Sequence, residues 1–511
     1  MFGRNGDKLA RYLKDALAYV VFVLAVFVKC EQIDPAGSIV WGPGLEGDVV
    51  LPVRYFFIQA VDFQGINFTL SPGKDAFQVR ISSLQKKEHI RIHVPPPLDR
   101  GDGSFLVRYR LYNTAHTGLK VDVFHRDAAV AKSPYIIPGP VYDEYCECPQ
   151  ADASAWQSVM RCPLHEPQIV ADFESFPTID LQHLREEVPQ RFAKRGGIIH
   201  YAIINNQVFR RSLGKYTDFK MFSDEILLSL TRKVRVPDVE FYLNVGDWPL
   251  ETRSADSSPV PVLSWCGSTD TRDIVLPTYD VTHSTLETMR GVTNDLLSIQ
   301  GHTGPPWENK TDQAFFRGRD SREERLHLVS LSKKHPELVD AGITGWFFFR
   351  DREKDVGKAA LVGFFDFFKY KYQVNMDGTV AAYRFPYLML GSSLVLKQDS
   401  HYYEHFYRRL QAGTHYIPFH RNLSDLLEKI QWAKENQAEA RKIAGAGQAA
   451  ARQLLQPGKL YCYYYQVLLM YSERQAGQPL RHADMEAVLE ADQHTNTCTC
   501  QRDKNTGKDE L

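Results

Sequence analysis

Charge of one sign is missing from this chain. Lys and Arg number 61 against 62 Asp and Glu, a formal net charge of −1, so no bulk attraction to nucleic acid is expected. Long apolar runs are missing too. The one candidate, Ala16 to Val28, is too short for a stable membrane span. No internal repeat or long low-complexity stretch occurs, which excludes solenoids and fibrous arrays. Cysteine is sparse at eight residues, and no His/Cys set has zinc spacing. No P-loop occurs, and no Asp-x-Asp pair stands at a strand end, so a nucleoside triphosphatase and a metal-held nucleotide both lose support. What remains is a long chain, 511 residues, 43% hydrophobic and 12% aromatic. That is enough for two or three domains with large cores.

Arg4, Lys8, Arg11 and Lys14 precede the apolar run, the n- and h-regions of a secretory signal read as residues 1–30. Lys508-Asp509-Glu510-Leu511 is the address read by the endoplasmic-reticulum retrieval receptor, which becomes an expected partner. Together they place the chain in the lumen of that compartment. The lumen is oxidising, so Cys146, Cys148, Cys162, Cys266, Cys462, Cys498 and Cys500 are candidate bridges, with Cys30 leaving with the signal. Glycosylation sequons at Asn67, Asn309 and Asn422 fit the same compartment.

From about Ser38 to Pro138 short segments alternate polar and apolar, with turn residues between them: an all-β pattern. Trp41-Gly42-Pro43-Gly44-Leu45, Asp99-Arg100-Gly101-Asp102-Gly103-Ser104-Phe105 and Ser133-Pro134-Tyr135 resemble a filamin-type immunoglobulin-like repeat. A spacer or binding module is expected over 31–140, separable from the rest of the chain, and a Cys- and Pro-rich connector over 141–167. Over 168–474 strands alternate with helices, which predicts two parallel sheets. Residues 475–511 turn polar and aperiodic and read as a tethered tail.

Three stretches carry candidate chemistry. In Ala314–Arg325 an apolar strand meets Gly318, read as a sharp turn, and Ser321 with Glu324 forms a capping box that starts a helix at about Arg322. Arg317, Arg319, Arg322 and Arg325 surround that junction. They suit a diphosphate, or else pair with Asp320, Glu323 and Glu324 on a surface helix. A second strand–glycine–helix junction runs from Tyr372 to Arg384, with small residues after Gly378 that admit phosphates and Arg384 to add charge. The third is Asn244-Val245-Gly246-Asp247-Trp248-Pro249, at the carboxyl end of a strand starting near Val239. Asp247 there is a candidate general base, or a turn aspartate.

Asn244–Pro249, Phe316–Arg325, Lys369–Arg384 and His415-Tyr416-Ile417-Pro418 together resemble the CAP10-type protein O-glucosyltransferases. The filamin-like front and Lys-Asp-Glu-Leu end are similar to the branch carrying both. The resemblance implies a β-sandwich followed by a GT-B body of two Rossmann-like halves. It implies UDP-glucose as donor, with xylosyl transfer as a secondary reaction, and serines of Notch-type and other EGF-like repeats as acceptors. It also implies inversion without a metal or other cofactor. Asp247 falls on the base. Arg317, Arg319, Arg325, Thr379, Val380, Ala381, Ala382, Tyr383 and Arg384 fall on the donor side, and Gly246, Trp248, Met221 and Phe222 on the acceptor side. Arg319 stands where the family has a donor-contacting serine, and Gly246 where it has an arginine. The family's cysteine pair near Met221 is absent. The resemblance further implies that Cys146 or Cys148 joins Cys462, giving Cys146–Cys462 and Cys148–Cys162 as the favoured set. An inactive lumenal protein that recruits partners through the front module is the alternative.

Overall fold

The computed structural model describes residues 32–194, 196–253, 258–286, 295–489 and 498–502. The signal segment and the retrieval residues Lys508, Asp509, Glu510 and Leu511 lie outside them. Among the described residues no helix is long and apolar enough to cross a membrane.

Residues 32–138 form a sandwich of two antiparallel sheets. One runs Ile39–Trp41, Arg54–Gln59, Ser104–Leu111, Ile92–His93, with Leu98–Asp99 also on the third strand; the other centres on Gln78–Ser83 and Gly118–His125. Strand alternation decides what each face touches. Phe56, Ile58, Phe105 and Val107 fill the sandwich core with Leu119 and Val121. Tyr55, Phe57 and Leu106 point the other way, and with Val49 and Leu51 they belong to the core of the following body. The sandwich is therefore not the separable module expected, because the central strands Arg54–Gln59 and Ser104–Leu111 of one sheet are buried on both faces. Buried Arg54 donates to the Tyr142 carbonyl (2.9 Å), Arg108 to Ser298 Oγ (2.6 Å), and Arg452 pairs with Asp102 across the same junction.

The described body has two large sheets and two small two-stranded ones. The first runs Ile274–Val275, Val262–Ser264, Val239–Asn244, Gly197–Ile204, Gln207–Gly214, Glu486–Ala487. Its first three strands are parallel and the rest antiparallel, so it is mixed where a parallel sheet was expected. The cause is local. Asn205 and Asn206 take positive φ (51° and 65°) in a two-residue hairpin turn, the conformation asparagine tolerates best. The second sheet is all parallel: Val339–Gly345, Thr311–Arg319, Tyr370–Asn375, Leu394–Gln398, Ile417–Phe419. Helices Leu426–Glu435 and Gln437–Leu454 cover it, and helix Pro457–Arg474 crosses back to the first half. Three tyrosines of that last helix pin the first half's loops: Tyr463 donates to the Val275 carbonyl (2.9 Å), Tyr464 to Pro277 (3.1 Å) and Tyr471 to Pro261 (2.9 Å).

The disulfides are Cys146–Cys498, Cys148–Cys500 and Cys162–Cys462, and Cys266 is a buried free thiol. The expected Cys146–Cys462 and Cys148–Cys162 pairs are not formed. The connector's Cys-x-Cys instead matches the tail's Cys-x-Cys, residue for residue. The tail is accordingly strapped down rather than merely tethered. Besides the two bridges, Glu486–Ala487 pairs with Phe209–Arg210, and buried Glu240 accepts from the Leu480 N–H (3.0 Å) and His482 (3.1 Å). Asn67, Asn309 and Asn422 are all exposed.

Candidate active site

The carboxyl ends of Val239–Asn244, Thr311–Arg319 and Tyr370–Asn375 meet at a cleft of about 630 Å³ between the two halves. Such strand ends are where open α/β sheets bind ligands. The cleft is lined by Asp247 from the first half and by Arg317, Gly318, Arg319, Arg325 and Thr379–Arg384 from the second. Residues distant in sequence, read as base and donor side, thus share one cavity. Trp248 and Met221 are about half exposed and Phe222 half-buried; none of them, nor Gly246, lines it.

Two features of the arginine junction differ from expectation. Gly318 does not turn the chain: it lies buried inside the strand Thr311–Arg319, with φ outside the positive region. Its missing side chain makes room instead. A Cβ there would stand 2.9 Å from Phe316 Cζ, 3.0 Å from Arg384 Nη2 and 3.2 Å from Arg325 Nη1. The capping box is absent as well. The helix spans Glu323–Lys334 with Arg322 at its N-cap and no side-chain cap. Ser321 Oγ lies 3.4 Å from Arg325 Nη1, and Glu324 is held by Arg421 (3.1 Å). After Gly378 the chain stays irregular until the short helix Phe385–Leu390, so Thr379–Arg384 is a loop rather than a helix start.

The four arginines divide into distinct jobs. Arg317 is neutralised by Asp340 (2.7 Å) and lies over the Phe315 ring. Arg322 donates to the Gly378 and Thr379 carbonyls (2.6 and 2.8 Å) and so fixes the loop at Gly378. Arg319 is exposed at the mouth. Arg325 is buried and donates to the carbonyls of Asp377 (2.7 Å), Arg319 (3.0 Å) and Met376 (3.1 Å). Arg384, from the loop, donates to the Arg317 carbonyl. Arg325 and Arg384 flank the Phe316 ring, each 5.4 Å from its centroid. Among the described residues neither makes an ion pair with a carboxylate. Burial lowers both, Arg325 to about 9 with Arg384's charge adding to the effect, and Arg384 to about 10. Asp320, a candidate partner by sequence, is spent elsewhere: its carboxylate accepts the N–H groups of Phe347 and Phe349 (2.7–2.9 Å).

Asp247 sits on a braced turn. Asn244 Nδ2 donates to the Trp248 carbonyl (2.7 Å) and its Oδ1 accepts from Gly246 N (3.0 Å). Asp273 takes the N–H groups of Leu250 and Glu251 (2.8 Å each) and the Ser264 hydroxyl (2.6 Å). The Cys266 thiol donates to the Asp247 carbonyl (3.5 Å). No described residue donates to the Asp247 carboxylate, and desolvation raises its pKa. A turn aspartate that capped the backbone would show the opposite.

Sequence reasoning missed Asn244's bracing role, Asp273, Tyr279 and Asp280. Tyr279 stacks on Phe222 (5.4 Å) and meets Tyr383 edge-on (5.5 Å), joining Phe222, expected on the acceptor side, to the cleft through one ring. Tyr279 and Asp280 both line the cleft. The signal available for them was Pro277-Thr278 ahead of a short apolar-periodic helix.

One three-residue group among the described residues, His200, Glu240 and His482, has the spacing to hold a metal. Its Glu240 and His200 lie on the neighbouring central strands Val239–Asn244 and Gly197–Ile204, its His482 comes from the tail, and it is already satisfied. Arg185 grips Glu240 through two bonds (2.9 and 2.6 Å), and Arg211 donates to His200 Nδ1 (2.9 Å). It pins the tail rather than forming a cation site.

Residues 157–509 match glycosyl transferase family 90, and residues 32–136 match the filamin/ABP280 repeat. Human protein O-glucosyltransferase 3 is 65% identical over 478 residues, covering 93% of this chain and 94% of the relative. Zebrafish protein O-glucosyltransferase 2 is 52% identical over 468 residues, covering 91% and 93%. Among solved structures, Anabaena Alr3699/HepE in complex with UDP and glucose covers 33% of this chain and 48% of its own, with a TM-score of 0.25 and 13% identity. With the family matched across both halves of the body and the sandwich matched ahead of it, this chain belongs to the protein O-glucosyltransferases of glycosyl transferase family 90.

Proposed function

We propose that this glycosyltransferase moves glucose from UDP-glucose to a serine hydroxyl of an EGF-like repeat, with inversion, without a metal, in the endoplasmic-reticulum lumen. The observation that carries the reading is a pairing of opposites in one cleft. Arg325 is a buried and Arg384 a half-buried cation, neither paired with a carboxylate, and Asp247 is a carboxylate without a cation. Two uncompensated guanidiniums in a low-dielectric wall favour an anion strongly. Arg325 has three of its five N–H groups on carbonyls and a fourth reaching Ser321 Oγ (3.4 Å), which fixes its orientation and leaves one for a phosphate oxygen.

In the transfer, Asp247 takes the serine proton as the serine oxygen bonds to the anomeric carbon. The bond from that carbon to the phosphate oxygen breaks on the opposite face, and UDP leaves with its electron pair. The raised pKa makes Asp247 a stronger base than an ordinary aspartate. Arg325 and Arg384 take up the charge developing on the diphosphate, the service a metal gives in other sites. The acceptor class comes from the CAP10-type resemblance, and the relatives' names support O-glucosyl transfer. The compartment rests on the leader-like N-terminus, the C-terminal Lys-Asp-Glu-Leu and the three disulfides.

The test is transfer by purified full-length protein to one folded EGF-like repeat, read by mass spectrometry with UDP-glucose, UDP-xylose and UDP-galactose, with and without EDTA. Hexose addition from UDP-glucose that survives EDTA is expected. Addition only from another donor, or activity lost to EDTA and restored by manganese, would contradict the reading.

A further inference from the structure

Most aspartates around this cleft are tied to the backbone, a hydroxyl or a cation, as Asp340 is to Arg317 (2.7 Å). Asp320 holds two backbone N–H groups, Asp273 two N–H groups and a hydroxyl, and Asp377 accepts the Ser400 hydroxyl (2.6 Å). Asp280 lines the cleft and makes no ion pair with a described residue. Its side-chain partner is the neutral Tyr387 phenol, which donates to Asp280's own carbonyl (3.0 Å) and lies within reach of its carboxylate.

Its backbone is nevertheless held firmly. Thr278 opens the helix Tyr279–Leu286, its carbonyl accepting the Thr282 N–H (2.9 Å) and its hydroxyl the Val281 N–H (3.4 Å). The Thr282 and Tyr464 hydroxyls join at 2.7 Å, and Tyr464 also donates to Pro277 (3.1 Å). A carboxylate on so fixed a base, lining the cavity with no cation against it, is a preorganised acceptor. The titratable acids coupled to it or to its neighbours are Asp247 and Glu404, the latter raised by burial to about 8 and so largely neutral, and neither is a cation. A phosphate is repelled there, and the guanidiniums stand on the other half. Neutral hydroxyl donors are what the position accepts.

Resting on the proposed UDP-glucose reading, we infer that Asp280 holds the donor sugar by its hydroxyls and is a specificity-determining residue of this site. The diphosphate lies on the Arg325–Arg384 side, and the sugar attached to it reaches the acidic wall where Asp280 accepts and Asp247 works on the acceptor. Burial that raises Asp280 to about 6 still leaves it ionised at neutral pH.

The experiment is calorimetric binding of UDP and of UDP-glucose to full-length wild type, Asp280→Asn, Asp280→Ser and Asp247→Asn. In the two Asp280 variants UDP affinity should stay native, which also shows that they fold. UDP-glucose affinity should fall about 10- to 100-fold toward that of UDP, as for one or two hydrogen bonds to a charged group. Asp247→Asn should keep both affinities. Native UDP-glucose affinity in the Asp280 variants overturns the inference and leaves the function standing. An equal loss of UDP affinity also overturns it, by placing Asp280 on the phosphate side directly or through a cation. Failure of wild type to bind UDP overturns the functional reading and this inference together.

Discussion

Gly318→Ala is the smallest change that should disable the phosphate side. In the strand Thr311–Arg319 alanine has no backbone objection, so any effect comes from one added carbon. That carbon would stand 2.9 Å from Phe316 Cζ, 3.0 Å from Arg384 Nη2 and 3.2 Å from Arg325 Nη1. These are ends of long side chains, which ordinarily swing aside. Here they are locked: the Phe316 ring lies between the two guanidiniums, Arg384 is on the Arg317 carbonyl and Arg325 on three carbonyls. Overpacking of that kind costs about 1–3 kcal/mol. Displacing one guanidinium from a phosphate forfeits a charge-assisted contact of about 1.5–3 kcal/mol. UDP affinity should therefore fall about 10- to 100-fold in a calorimetric titration, with a lowered melting temperature. Gly318→Ala binding UDP as tightly as wild type would show that the arginines packed on Gly318 do not hold the diphosphate.

The same geometry sets three more outcomes. Removing residues 38–138 should leave the body aggregated or markedly less heat-stable, since Tyr55, Phe57 and Leu106 fill its core; a soluble truncated protein melting at the wild-type temperature would refute this. The acid limb of kcat/KM should lie above the ordinary aspartate value of about 3.9, because a base must be deprotonated and the pKa of Asp247 is raised, so activity is lost as pH falls through that raised value. A limb at or below the ordinary value counts against Asp247. Non-reducing peptide mapping should recover Cys146 with Cys498, Cys148 with Cys500 and Cys162 with Cys462; a Cys146–Cys462 peptide would contradict the pairing seen in the structure.

The site was legible where chemistry is local. Arg325 and Arg384 follow the ends of their strands and Asp247 stands three residues past its own, so type and spacing were enough to bring them to one cavity. What was hidden depended on partners far along the chain. Pairing Cys148 with Cys500 spans 352 residues, and six cysteines allow fifteen connectivities, so spacing could not choose among them. Arg54–Gln59 reads as one apolar strand; that its two faces serve different cores appears only once the body is packed against it. The parallel first sheet failed on a signal that was present, the Asn205-Asn206 pair between two apolar runs. Gly318 illustrates a different limit, because a glycine kept for space cannot be told in sequence from one kept for a turn.

Asp247→Asn separates proton removal from nucleotide binding. The substitution preserves size, and no described residue hydrogen-bonds the carboxylate, so fold and nucleotide site should survive. Affinity for UDP and for UDP-glucose should stay native, with transfer to a folded EGF-like repeat reduced about 10²- to 10⁴-fold. Transfer within a few-fold of wild type would contradict it.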